Sequence, residues 1–281
     1  MTQNREVEQH EEHREALAGE LGEPVTCDRL TRDFVMFQRR RGHRHSTDDL
    51  LTAWYAVTHL PGARPLRLLD LGTGIGSIGL AVLWVARQSD GGARLTAIEA
   101  QEVSYRFLRE NVAANGVGAE VATIHGDLRD KSLLPQGETF DLVTGSPPYF
   151  DVKAGIVSAD SQRAHARFEL RGDVRDYARA AAARLDAGGR FIFCFPTVQK
   201  RRAEEACEAA GFASLEACDV VPKEGLIPLF TLFAYIKPRE GKRPTPTTRP
   251  PFIVRDRQGR HTSDLLAAQA CFGLGSVRNV S

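Results

Sequence analysis

"LLDLGTGIGSIGL", residues 68–80, runs from an apolar segment into a helix-like one through a turn that holds Gly72, Gly74 and Gly76. Glycine permits positive φ and lets backbone approach a ligand with no Cβ in the way. A strand that ends in such a turn and opens a helix belongs to a parallel βαβ unit, whose ligands bind outside the carboxyl ends of the strands. Gly74, Gly76 and Gly79 also satisfy G-x-G-x-x-G, so a dinucleotide is one reading of the loop. Asp70 speaks against it, because a carboxylate at the strand end would face a pyrophosphate of the same sign.

Outward from this loop, short apolar strands alternate with amphipathic helices. Strands are expected at 66–71, 94–99, 120–127, 140–145 and 190–196, and helices at 47–60, 76–88, 102–115, 173–187 and 199–211. The helix over 173–187 is expected to stop at Gly188-Gly189. Strands near 214–222 and 230–237 have no helix between them and predict an antiparallel hairpin at the sheet edge. This order predicts an α/β fold, Rossmann-like, with a mostly parallel sheet covered on both faces.

Three of the strands end on an acid. Asp70 closes the first, Glu99 the second, some 23 residues beyond Gly76, and Asp127 in "HGD" the third. Glu99 is placed to grip two ribose hydroxyls, Asp127 to accept from an adenine amino group, and Asp70 to meet a cation or hydroxyls in the loop cleft. Such acids suit an adenosine that carries a sulfonium or ammonium.

"SPPYF" (146–150) follows the strand at 140–145 and faces the same cleft. Each proline fixes φ and removes an N–H, so the segment is either a rigid strand-ending turn or a set of carbonyls meant for something other than protein. An amine conjugated to a base ring is a poor nucleophile. Acceptors from Ser146 and the Pro147 carbonyl would favour a pyramidal nitrogen, and Tyr149, behind Pro148, would stack on a flipped or unpaired base.

Together these motifs resemble the class I S-adenosylmethionine-dependent methyltransferases, with their E/D-x-G-x-G-x-G loop and [DNS]-P-P-[YFW] segment. The resemblance implies a seven-stranded sheet ending in that hairpin, and a cofactor set of Asp70, Gly72, Thr73, Gly74, Gly76, Glu99, Ala100, Asp127 and Leu128. Over about residues 28–268 the chain is similar to the bacterial methyltransferases acting on adenine N6 in the anticodon loop of a valine tRNA. That family has N-P-P-Y-F and then R-A-x-A-R-H-E; here Arg163-Ala164-His165-Ala166-Arg167-Phe168-Glu169 follows, with Ser146 in place of Asn and Phe168 in place of His. Serine there is typical of DNA cytosine-N4 methyltransferases. "FQRRRGHRHSTDDLLTAW" (37–54) resembles the family's lead-in, in which Asp48 lies near the cofactor, and "PFIVRDRQGRHTSDL" (251–265) its C-terminal strand and turn.

What the resemblance implies is a tRNA adenine-N6 methyltransferase that uses S-adenosylmethionine. The other readings are a protein glutamine amide, guanine N2 of ribosomal RNA, cytosine N4, or a cofactor- and RNA-binding protein without catalysis. RNA phosphates would meet Arg39, Arg40, Arg41, Arg44, Lys153, Arg163 and Arg167; Arg163, Arg167 and Glu169 equally suit an ion-paired lid.

Composition bounds the rest. The 281 residues are 42% apolar and 26% charged with a net charge of +1, as in ordinary globular chains. Charge is uneven: residues 1–24 are acidic, while 39–45 and the tail from Lys237 to Arg260 are basic. Division into an acidic extension (1–24), the methyltransferase domain with its lead-in (25–238), a Pro-rich basic linker or loop (239–251) and a C-terminal strand and short helix (252–281) is expected. No apolar run is long enough for a membrane span, and "MTQNREVEQHEEHREALAGE" has no signal-peptide core, so a cytoplasmic location is expected. The cysteines Cys27, Cys194, Cys207, Cys218 and Cys271 are scattered outside the motifs. Free thiols, no metal and no covalent enzyme intermediate are expected. Oligomeric state is left open, with a monomer favoured.

Overall fold

In a computed structural model, residues 2–62, 65–88, 91–150, 160–240 and 242–275 are described, with side chains from residue 8 onward except at 163, 164 and 167. Five parallel strands form the centre of the sheet: β3 (Leu66–Leu71), β4 (Ala93–Glu99), β5 (Val121–His125), β6 (Phe140–Gly145) and β7 (Leu185–Pro196). From β3 the chain moves outward to β4 and β5 and then returns to place β6 on the other side of β3. Such a reversal opens a crevice between the two strand ends. Its register is specific: Leu71 lies opposite Gly145, so the glycine loop and the Ser146 segment leave the sheet side by side.

β8 (Ala213–Val221) and β9 (Phe230–Ile236) form the expected antiparallel hairpin, with β9 inserted between β7 and β8. The hairpin is not a bare edge. Two short strands, β10 (Thr247–Thr248) and β11 (Phe252–Ile253), pair in parallel with the outer side of β8 and make the sheet nine-stranded. An uncovered β8 would expose a row of unpaired backbone groups.

Strand alternation sends Ile192 and Cys194 of β7 to one face, and Phe191, Phe193 and Phe195 to the other. The first face is covered by α2 (Thr47–Thr58), α3 (Ser77–Ala86), α4 (Glu102–Ala114) and α8 (Ser263–Cys271). The second carries α6 (Val174–Arg184), which follows the short α5 (Ser161–Arg167), and α7 (Lys200–Ala209), with Phe193 and Phe233 stacked at 4.9 Å beneath α6 and α7. α6 ends at Arg184, short of the expected stop. Leu185 is extended and buried, and Gly188-Gly189 instead form an irregularity where β7 shifts register against β6. A Cβ on Gly189 would meet the Asp186 carbonyl oxygen at 2.9 Å, so the bulge needs glycine.

The acidic N-terminus forms α1 (Thr2–Leu21), and after it comes a hairpin that the sequence reading did not anticipate, β1 (Val25–Arg29) with β2 (Val35–Arg39). It belongs to a separate two-stranded sheet, held to the main body by two amides one turn apart, one in α4 and one at its C-cap. Asn115 accepts from the Val35 N–H and donates to its carbonyl, both at 2.8 Å. Fully buried Asn111 accepts from the Phe37 N–H at 2.7 Å and donates to the Ile75 carbonyl at 2.9 Å. Removing the Asn111 amide leaves these backbone groups buried without partners, so Asn111→Ala should lower unfolding free energy by about 3 kcal/mol in urea denaturation.

Candidate active site

Gly72 has φ +57°, and a Cβ there would lie 2.0 Å from the Tyr177 hydroxyl, so no other residue fits. Gly74 is also left-handed, at φ +61°, but a Cβ on it would meet nothing within 4 Å: its Cα faces the open cleft. Between them the loop is moulded by the two acids. Asp70 is almost wholly buried; it accepts from the hydroxyls of Thr73 and Thr144 and from the Gly79 N–H at 3.0 Å. Burial pushes its pKa up to about 6 against these three donors. Glu99, also buried, accepts from the Gly74 N–H at 2.8 Å and the Gln101 N–H at 2.7 Å, and burial raises it too.

The third strand-end acid behaves differently. Asp127 pairs with Arg129 through both carboxylate oxygens, at 2.9 and 2.6 Å, and the Arg129 hydrogen bonds hold it below the usual range. Gly126 and Leu128 line the cleft on either side of it, together with Ala100.

Across the crevice, Pro147 and Pro148 are buried while Ser146 and Tyr149 are half-buried. The Ser146 Oγ lies 3.5 Å from the Sγ of Cys194, which β7 presents because Gly145 is in register with Phe193. Burial lifts the Cys194 thiol to about 12, so it stays protonated. The Tyr149 carbonyl accepts from Gln199 Nε2 at 2.9 Å, and Gln199 is held by Arg202 at 3.1 Å. Arg202 also pairs with Glu169 and Asp173. Glu169 thus anchors the segment through Arg202. Phe168 is buried, bridged to Phe150 by a backbone pairing and a ring contact at 5.6 Å.

The lead-in closes the third side. Ser46 caps α2, its N–H donating to Asp49 at 3.1 Å and its hydroxyl to Asp48. Asp48 lines the cleft, where burial and the neighbouring Asp49 charge raise its pKa. For Asp49 burial works upward as well, but His45 at 3.6 Å holds it below the usual range.

Of the expected phosphate-binding arginines, Arg39 is consumed by the fold, paired to Glu23 at 2.6 Å and Asp160 at 2.8 Å. Arg44 lines the cleft but holds Asp28 at 2.9 Å. Arg40 and Arg41 are exposed. Lys153 and the side chains of Arg163 and Arg167 lie outside the described residues.

The glycine loop, the Ser146–Phe150 segment and the lead-in from Gly42 to Asp49 line one cleft of about 1170 Å³ that reaches the β8–β9 turn. That volume exceeds the several hundred Å³ of a typical single-ligand pocket, leaving room for a second planar group. Open backbone at Gly74 and the carboxylates of Asp48 and Glu99 suit a cofactor that carries an adenosine and positive charge. Sequence reasoning missed Cys194, Gln199 and Tyr177, which are brought here by strand register and by α6. Among the described residues no group of three or more His, Cys, Asp or Glu is placed to hold a metal, and no helix is long and apolar enough to cross a membrane.

Asp70 makes stability depend on pH in a definite direction. Its folded pKa of about 6 exceeds the ordinary 3.8, so its stabilising protonation is fully present below 3.8 and lost as pH rises through about 6. Asp70→Asn cannot ionise. Urea denaturation should therefore show the variant gaining on the parent chain by about 2 kcal/mol between pH 4 and pH 7.

The family model of the methyltransferase small domain matches residues 52–195. A Mannheimia succiniciproducens protein named tRNA1(Val) (adenine(37)-N6)-methyltransferase is 27% identical over 225 residues, 80% of this chain and 85% of its own. Among solved structures, a predicted O-methyltransferase of Agrobacterium tumefaciens superposes with a TM-score of 0.61 at 23% identity, over 83% of this chain and all of its own. A T. thermophilus 16S rRNA N2 methyltransferase, in complex with AdoMet and guanosine, gives 0.53 at 20% identity over 76% of this chain and 50% of that one. These two share the fold of the sheet and crevice described above. With over half its length matched, from α2 to the strand that carries Cys194, the chain belongs to the methyltransferase small-domain family.

Proposed function

We propose that this methyltransferase modifies an exocyclic amine of an unpaired RNA base, adenine N6 in a tRNA anticodon loop. One observation carries the reading: β3 and β6 are in register, so the glycine loop and Ser146-Pro147-Pro148-Tyr149 open into the same cleft. The name of the Mannheimia relative supports the acceptor and its RNA.

S-adenosylmethionine, when bound, supplies an electrophilic methyl group. Gly72, Thr73 and Gly74 would hold it beside Glu99, with Asp48 facing its positive charge. Ser146 Oγ and the Pro147 carbonyl accept the hydrogens of the incoming amine and direct its lone pair, as fixed acceptors whose orientation costs nothing at the moment of reaction. The contact with protonated Cys194 at 3.5 Å takes at most one lone pair of the Ser146 oxygen and leaves another for the amine. The Tyr149 ring faces the base, its backbone held by the Gln199–Arg202 chain. Buried Pro147 and Pro148 keep water from the reacting nitrogen.

The test is incubation of the purified chain with labelled cofactor and unmodified tRNA, then nucleoside mass spectrometry. Labelled N6-methyladenosine is expected; N4-methylcytidine would transfer the reading to the serine-type acceptor, and no labelled nucleoside would overturn it. Tyr149→Ala should lower kcat/KM for tRNA by about tenfold to a hundredfold through loss of base stacking, with cofactor affinity retained. Ser146→Ala removes one fixed acceptor and should lower kcat by about a hundredfold.

A further inference from the structure

Six large apolar side chains are exposed among the described residues: Phe150, Val198, Leu226, Ile227, Leu229 and Leu266. All but Leu266 line the mouth of the one cleft that holds the methyltransferase motifs. Scattered exposed apolar residues need no explanation, but a cluster at a cleft mouth marks a binding surface. Most of this one is the turn between β8 and β9, where Ile227 is 80% exposed; Val198, 85% exposed, stands beside it.

Both arms of the turn are braced by hydrogen bonds. Leu229 donates its N–H to the Val220 carbonyl at 2.8 Å, and the Leu229 carbonyl accepts from the Thr197 N–H at 3.2 Å. The C-terminal segment holds the other arm: the Glu224 N–H donates to the Arg255 carbonyl at 2.9 Å, and Arg257 pairs with the Glu224 carboxylate at 3.1 Å. A rigid aliphatic lip therefore stands over the side of the cleft that Tyr149 and Phe150 also form.

We infer that this lip, centred on Leu226 and Ile227, is a wedge that enters single-stranded RNA beside the target base and fills the stack the base has left. The inference rests on the RNA reading above. Flat aromatic platforms stack on bases, whereas protruding Leu, Ile and Val side chains separate neighbouring bases by insertion. An amine can reach Ser146 only when its base has left the stack, and a filled gap keeps the base from returning. Charge favours RNA over an apolar peptide or a lipid tail: Lys223 is exposed in the same turn, and Arg40 and Arg41 are exposed next to Gly42, which lines the same cleft. A cation in the ridge can meet a phosphate while the apolar side chains engage bases.

The test uses the full chain and an unmodified anticodon stem-loop with 2-aminopurine next to the target adenine, where unstacking raises fluorescence. Binding of the parent chain should raise the signal severalfold. The double variant Leu226→Ser/Ile227→Ser should lose most of that rise and bind the RNA about tenfold more weakly. Both side chains are exposed, and unchanged S-adenosylhomocysteine affinity would show that the variant is folded. An equal rise with the variant, or RNA binding by the parent chain with no rise, overturns the wedge. Methyl transfer to RNA with no difference between parent and variant sinks the wedge alone. A variant-sensitive rise without methyl transfer sinks the proposed reaction alone. Partition of the parent chain, but not the variant, onto phosphatidylcholine–phosphatidylglycerol vesicles would assign the lip to a membrane surface and overturn the RNA inference.

Discussion

A buried carboxylate is costly unless donors surround it, and Asp70 has three, from three different parts of the chain. Thr73 belongs to the glycine loop, Gly79 to the first turns of α3, and Thr144 to β6. One side chain thus fixes the turn out of β3, the start of the next helix and the neighbouring strand. The crevice depends on that knot. Without it, no local preference of the glycine loop would hold Gly72 against Tyr177 while leaving Gly74 open. Even so burial leaves the pKa of Asp70 raised, so the knot is electrostatically tense rather than relaxed.

The cleft divides its labour by charge. Its inner end has Asp48, Asp70 and Glu99, all pushed upward by burial and all able to gain from a positively charged ligand. Its outer end is apolar, and exposed cations stand at the margins. On the proposed reading, a cationic cofactor and a polyanionic substrate would be drawn to opposite ends of one cavity. Ser146, the proposed place of reaction, lies between them, with the uncharged thiol of Cys194 at 3.5 Å.

Much of this was legible before any coordinates. Alternating strands and helices, the glycine loop and the two prolines are local patterns, and local patterns show in sequence. Partners distant in the chain do not. Arg39 reads as a member of a basic cluster until Asp160 is seen beside it, and Cys194 reads as an unremarkable strand residue until register sets it against Ser146. Asp127 is a different case: Arg129 stands two residues on, and that proximity was a signal of local pairing. Gly188-Gly189 looked like a helix stop because glycine serves both C-caps and bulges, and only the pairing of β7 with β6 tells which. The hairpin at 25–39 was missed because it joins no strand of the main sheet.

That hairpin has a mechanical meaning. The amide of Asn111 grips β2 at Phe37 with one hand and the glycine loop at Ile75 with the other. The arginine-bearing end of β2 and the loop beneath the cleft are therefore pinned to a single axle. A shift of β2 must therefore either break the bonds of this amide or carry the glycine loop with it, so the N-terminal hairpin and the floor of the cleft cannot rearrange independently.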